Sequence, residues 1–131
     1  MGPLVDIKMR NDPAIIILVV EDEPFVRMDI SETLAAAGYV VLEAGNADEA
    51  IRLLESHPGI QALFTDIDMP GSMNGLKLAT AVRDRWPLVQ ILITSGHRYI
   101  CDVDLPVEGH FFSKPYDPSQ VARTVRNMVH G

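Results

Sequence analysis

Cysteine is nearly missing from this sequence: Cys101 is the only one in 131 residues. No disulfide can form within the chain, and a reducing cytosol is the expected setting. Long apolar runs are missing as well. No stretch reaches the ~20 residues needed to span a bilayer, and the N-terminus lacks the apolar segment of a secretion signal. Positive charge is in deficit, with 11 Lys and Arg against 18 Asp and Glu and a net charge of −7. Direct nucleic-acid binding is therefore not expected, because phosphate contacts need clustered cations. There is no Gly-x-Gly-x-x-Gly or Walker-type loop, so nucleotide binding has no support. His57, His97, His110 and His130 lack metal-ligand spacing. What remains is a soluble cytoplasmic domain with no membrane contact.

What is present is apolar and rhythmic. Hydrophobic residues make up 47% of the chain, enough for one domain with a real core. Residues 1–13, of mixed polarity and with two prolines, read as a tail. Ile15 to Val20 is apolar throughout, as in a parallel strand covered on both faces. Pro24 suits a first helical turn, and Val26, Ile30, Leu34 and Ala37 form a helical stripe that Gly38 ends. Tyr39 to Leu42 is a second strand. Asn46 and Glu49 have capping spacing before a helix with Ala47, Ala50, Ile51 and Leu54 on its apolar face. A third strand ends in Asp66. Asn74 caps a helix with the stripe Leu76, Ala79 and Val82, and Pro87 ends it.

Gln90 to Thr94 is the fourth strand and Phe111 to Ser113 a short fifth. Between them, residues 96–110 contain Pro106 and Gly109 and show no helical stripe. The helix that the alternating plan places there is expected to be short or absent. Asp117, Pro118 and Gln120 then open a last helix whose inner face is Val121, Val125 and Met128. Five strands alternating with helices predict an α/β fold, a doubly wound parallel sheet covered on both sides.

The chemistry gathers where strands end. The third strand stops at Asp66, with Asp68 two residues on; the first stops at Glu21-Asp22. Open α/β sheets bind their ligands at that edge. A single Asp there is ordinarily just a charged strand end, but several carboxylates in one pocket repel and raise one another's pKa values. A divalent cation with oxygen ligands removes the penalty, and Mg2+ suits a site of few carboxylates. Ser95 and Lys114 close the fourth and fifth strands. Carboxylates, a hydroxyl and an ammonium at one edge form a phosphoryl-transfer constellation.

Five features in order resemble the receiver domain of two-component response regulators, over Ile15 to about His130. They are Glu21-Asp22, the turn Asp66-Ile67-Asp68-Met69-Pro70-Gly71-Ser72-Met73-Asn74-Gly75, Thr94-Ser95-Gly96, Phe111, and Lys114-Pro115. Each is weak alone; together, at the ends of the right strands, they are specific. The resemblance implies a flavodoxin-like sheet in the order 2-1-3-4-5 and a receiver domain over residues 14–131. It implies Asp66 as acceptor of a phosphoryl group from a sensor histidine kinase or a histidine phosphotransfer protein, with Mg2+ as cofactor. Asp22 would ligate the metal directly, Glu21 through water and Asp68 through its backbone carbonyl, with Asp66 completing the set. Ser95 and Lys114 would hold phosphoryl oxygens. Ser95 and Phe111 would form the switch, with a plain core aromatic as the alternative for Phe111.

The chain also departs from the family pattern. The turn after Asp66 is one residue longer than usual. Asp68 and His97 occupy two positions that tune phosphoryl hydrolysis in the family. Thr94 beside Ser95 leaves two candidates for the switch hydroxyl, Ser95 being favoured because Gly96 follows. Arg98 could mimic Lys114 in charge but fits a solvated loop better. Met69 and Met73 flank the turn and are expected to pack rather than meet a partner. A cis bond at Lys114-Pro115 is in keeping with the family.

The expectation is a stand-alone receiver that signals to a downstream protein, passes on its phosphoryl group in a phosphorelay or acts as a phosphate sink, with room for a weak homodimer. A hybrid-kinase receiver is the alternative. Asp66-x-Asp68 also resembles the nucleophile pair of haloacid dehalogenase-like phosphatases, which carry it on their first strand, unlike this chain. A third reading is a module that keeps the fold without being phosphorylated.

Overall fold

The computed structural model describes residues 15–68, 74–96 and 110–130. Met69, Met73, His97, Arg98 and the position between the fourth and fifth strands lie outside these residues. The five strands are β1 (Ile16–Val20), β2 (Val40–Ala44), β3 (Ile60–Asp66), β4 (Gln90–Ser95) and β5 (His110–Ser113). All pair in parallel in the order β2-β1-β3-β4-β5. This is the flavodoxin-like arrangement that the family resemblance implies. The helices are α1 (Pro24–Ala36), α2 (Ala47–Ser56), α3 (Gly75–Arg85) and α4 (Pro118–His130).

Two covered faces of one sheet explain why β1 is apolar at every position and why β3 and β4 carry unbroken apolar runs, Ala62 to Phe64 and Ile91 to Ile93. Ile17, Val19, Ala62, Phe64 and Leu92 project to one side and bury against Ile30 and Leu34 of α1 and Val121 and Val125 of α4. Leu18, Val20 and Leu63 project to the other and bury against Ala50 and Leu54 of α2 and Leu78 and Val82 of α3. A strand with helices on both faces cannot alternate apolar with polar. β2 is an edge strand with Val40 and Glu43 exposed around half-buried Val41 and Leu42, so its apolar pattern is the weakest. It runs to Ala44 rather than Leu42, with Glu43 turned to solvent.

Local chemistry sets the helix ends. The Asn46 side chain accepts the Glu49 N–H at 2.9 Å, while Glu49 reaches back to the Gly45 N–H at 3.1 Å. This reciprocal bonding satisfies donors that the first helical turn leaves open. Asn74 accepts the Lys77 N–H at 2.9 Å at the start of α3, and Asp117 accepts the Ser119 N–H at 2.9 Å at the start of α4. Gly38 ends α1 with φ +102, a backbone conformation that costs L-residues with a Cβ.

Core and cap should therefore contribute on different scales. Phe64→Ala, at a fully buried ring, is expected to cost about 3–5 kcal/mol in urea unfolding. Asn46→Ala is expected to cost only about 1 kcal/mol.

Candidate functional site

Register places the reactive side chains. Val20 is level with Thr65, and Asp66 with Thr94, so Glu21 and Asp66 leave the sheet side by side. Ser95 is level with Ser113, and the Lys114 N–H donates to the Ser95 carbonyl at 3.0 Å. The Lys114 side chain turns back over this edge. Its ammonium donates to Asp66 Oδ2 at 3.0 Å and to Glu21 Oε1 at 3.2 Å. Both carboxylates are buried, Glu21 at 1% exposure and Asp66 at 3%, whereas Asp22 is exposed.

One ammonium cannot neutralise this pocket. Glu21, Asp22 and Asp66 each offer an oxygen, and the three lie within 4.8 Å of one another. Burial first, then the Asp66 charge, raises the Glu21 pKa; the Glu23 N–H and Lys114 oppose this without cancelling it. Burial alone would lower the Lys114 pKa, but the bond to Asp66 and the charges of Asp66 and Glu21 raise it. Excess negative charge and hard oxygen donors fit Mg2+, which prefers one or two carboxylates plus water or phosphate. Glu21, Asp22 and Asp66 would hold it, and the ion would supply positive charge against phosphoryl oxygens.

Backbone and neighbouring side chains hold the acids in place. Glu21 Oε2 accepts the Glu23 N–H at 3.0 Å, and Asp66 Oδ1 accepts the Asp68 N–H at 3.2 Å. Arg27 of α1 donates to the Glu21 carbonyl at 2.7 Å and to Glu43 on β2 at 3.3 Å, pinning the β1–α1 turn to the sheet edge. Gly75 packs directly on the Asp66 backbone. A Cβ there would contact the Asp66 carbonyl oxygen and lie 2.6 Å from its carbon, so the start of α3 tolerates only glycine.

Of the two candidate switch hydroxyls, Ser95 Oγ donates to Asp68 Oδ2 at 3.0 Å, and both side chains stand at the site. Thr94 Oγ1 is buried with no hydrogen-bond partner among the described residues. Phe111 lies on the Ile93 side of the sheet, half-buried against the cluster of Ile67, Ala79, Ile91 and Ile93. The Lys114–Pro115 peptide is cis. Asp68, which sequence reasoning treated as a backbone ligand, thus also uses its side chain. Arg27 and Tyr116 were missed altogether, and Gly75 was named only as part of the turn, without its contact on Asp66. The Asn74-Gly75 pair was a usable signal for the glycine; nothing local marked the other two. Tyr116 stacks edge-on against Phe64 at 5.5 Å, and burial, followed by Glu21, Asp29 and Asp66, pushes its pKa up.

A doubly wound parallel sheet with an acid cluster, a lysine and a hydroxyl on its C-terminal edge defines the receiver class of α/β domains. Sequence comparison agrees. Residues 17–126 match the response regulator receiver domain, and the chain belongs to that family. It is 32% identical over 117 residues to the sensor kinase CckA of Brucella abortus, covering 86% of this chain and 12% of the kinase. A response regulator receiver protein from Sinorhizobium medicae superposes with TM-score 0.82 at 27% identity, over 90% of this chain and 96% of that one. The response regulator TrrA of Thermotoga maritima, in complex with Mg2+ and beryllofluoride, superposes with TM-score 0.78 at 27% identity, over 87% of this chain and 98% of that one. The chain spans no more than about half the length of curated relatives such as CckA, NtrC and AruR, all bacterial. Receiver domains are phosphoacceptor signalling domains that use Mg2+ at the acidic site and interact with histidine kinases or phosphotransfer proteins. No helix among the described residues is long and apolar enough to cross a membrane.

The raised Glu21 pKa has a testable sign. A carboxyl whose pKa is raised by folding contributes stability that is full below its unfolded value, near 4.5. That contribution is lost as pH rises through the folded value. Without metal at neutral pH, Glu21→Gln should therefore melt above wild type, with the difference closing as the pH falls below about 4.5. Added Mg2+ should raise the wild-type Tm more than that of the variant; equal shifts would contradict the assignment of Glu21 to the metal.

Proposed function

We propose that Asp66 accepts a phosphoryl group from the phosphohistidine of a sensor kinase or a histidine phosphotransfer protein. The observation that carries this is the buried Asp66 carboxylate held 3.0 Å from Lys114 beside Glu21 and Asp22. A carboxylate so placed is nucleophilic, desolvated and next to a cation that can follow the charge. In the transfer, the phosphorus–nitrogen bond to the donor imidazole breaks and a phosphorus–oxygen bond to Asp66 forms. The electron pair goes to the imidazole nitrogen, which takes up a proton.

Each residue has a distinct role. Lys114 moves from the bare carboxylate to a phosphoryl oxygen, so its charge is spent on the group that gains negative charge. Asp22 directly and Glu21 through water, with Asp66 and the Asp68 carbonyl, would hold Mg2+, which would supply positive charge against the phosphoryl oxygens. Ser95 donates to a second phosphoryl oxygen, and Phe111, on the same side of β4, fills space that the moving hydroxyl vacates. The difference between states is only a few kcal/mol, on the scale of one or two charge-assisted hydrogen bonds. Beside the site an open groove is lined by Phe25, Val26, Asp29, Lys114, Pro115 and Tyr116, a surface on which a donor protein can rest.

In this reading the domain signals to a separate protein or passes the phosphoryl group on, acting in the cytoplasm where phosphohistidine donors are made from ATP. The likeness to CckA favours a second reading, a receiver within a longer kinase, which makes the same demands on Asp66.

Intact mass after incubation with acetyl phosphate tests the chemistry. Wild type should gain one phosphate only with Mg2+, and Asp66→Asn should gain none while keeping its fold by circular dichroism. An adduct that persists in Asp66→Asn would refute the site. Release of phosphate over many cycles per molecule would point instead to a phosphatase.

A further inference from the structure

The Ser95 hydroxyl is already committed. It is fully buried, and its one proton goes to Asp68 Oδ2 at 3.0 Å. The Asp68 N–H meanwhile holds Asp66 Oδ1 at 3.2 Å. One short turn thus binds the acceptor through its backbone and the β4 hydroxyl through its side chain. A hydroxyl has a single proton, so Ser95 can donate to Asp68 or to a phosphoryl oxygen on Asp66, but not to both.

We infer that Asp68 is a latch: its carboxylate holds Ser95 in the unphosphorylated arrangement and competes with the phosphoryl group for the same proton. This deepens the phosphoacceptor reading and rests on it. The competition is lopsided by design of the site. Asp68 is exposed, so water can satisfy its carboxylate once Ser95 leaves, and a phosphoryl oxygen on Asp66 would offer the Ser95 proton a second charged acceptor. Asp68 acts through Ser95 and is a positioning residue.

The same carboxylate also places a negative charge near the incoming phosphoryl group. Simple repulsion would likewise make Asp68 oppose phosphorylation, but repulsion does not depend on Ser95. The latch does. Removing Ser95 should abolish the latch and leave the repulsion intact.

Two measurements test this. In the metal-free protein, Ser95→Ala should shift the Asp68 side-chain carboxyl carbon resonance; no shift would mean that the contact does not exist in solution. Beryllofluoride affinity, titrated at saturating Mg2+, is the second. Asp68→Ala keeps the backbone and should tighten binding about three- to tenfold, the range of one partly exposed charged hydrogen bond. Asp68→Asn, which retains an acceptor oxygen, should fall between. In a Ser95→Ala background, Asp68→Ala should change affinity by less than about twofold. Unchanged or weaker binding in Asp68→Ala, or an equal gain in both backgrounds, would overturn the latch. Wild type that binds no beryllofluoride at all would instead sink the phosphoacceptor reading, and the resonance shift would still judge the Asp68–Ser95 contact.

Discussion

Everything at the functional edge depends on one ammonium serving two buried carboxylates. Lys114 reaches Asp66 and Glu21 across the end of the sheet, and those contacts join the ends of β1, β3 and β5. Burying two acids against a single cation is costly, because desolvation of each charge is only partly repaid by the pair. The cost is tolerable because Lys114 itself remains 28% exposed and because backbone N–H groups share the load. What remains is an unbalanced negative pocket. That imbalance is what suits the site to a cation and, with it, to a phosphoryl group.

The rest of the fold makes this imbalance survivable. Two apolar layers fix the sheet rigidly below the edge, so the carboxylates cannot relax away from one another. Gly75 lets α3 start against the Asp66 backbone, and Arg27 holds the β1–α1 turn against β2. These are supports for a crowded cluster of acids, since each fixes backbone rather than contributing a reactive group. The latch inferred at Asp68 adds a competition: the same Ser95 proton that bonds Asp68 is the one a phosphoryl oxygen would take.

Much of this was legible in the sequence, for physical reasons that differ from element to element. β1 and β3 were plain because buried parallel strands carry continuous apolar runs rather than alternating ones, and each run broke off near an acid. The helices of Asn46 and Asn74 announced their own starts through capping side chains. β2 was blurred at its C-terminal end because an edge strand carries Glu43 at a solvated position. Within the site, Glu21, Asp22, Asp66, Ser95 and Lys114 could be named because each ends a strand. How they bond could not, since hydrogen bonds between residues 27 to 93 positions apart follow from register and rotamer rather than from local pattern. Arg27 looked like any charged helix residue, and Tyr116 like any aromatic.

The central claim is that Asp66, among several crowded acids, is the one that carries the phosphoryl group. Borohydride reduction of the acetyl phosphate-treated protein tests it most directly, because an acyl phosphate is reduced to an alcohol while free carboxylates are untouched. Tandem mass spectrometry of the digested protein should then find homoserine at position 66 alone, and only when Mg2+ was present. Homoserine at Asp22 or Asp68, or none at Asp66 in protein whose mass shows a phosphate adduct, would contradict the account.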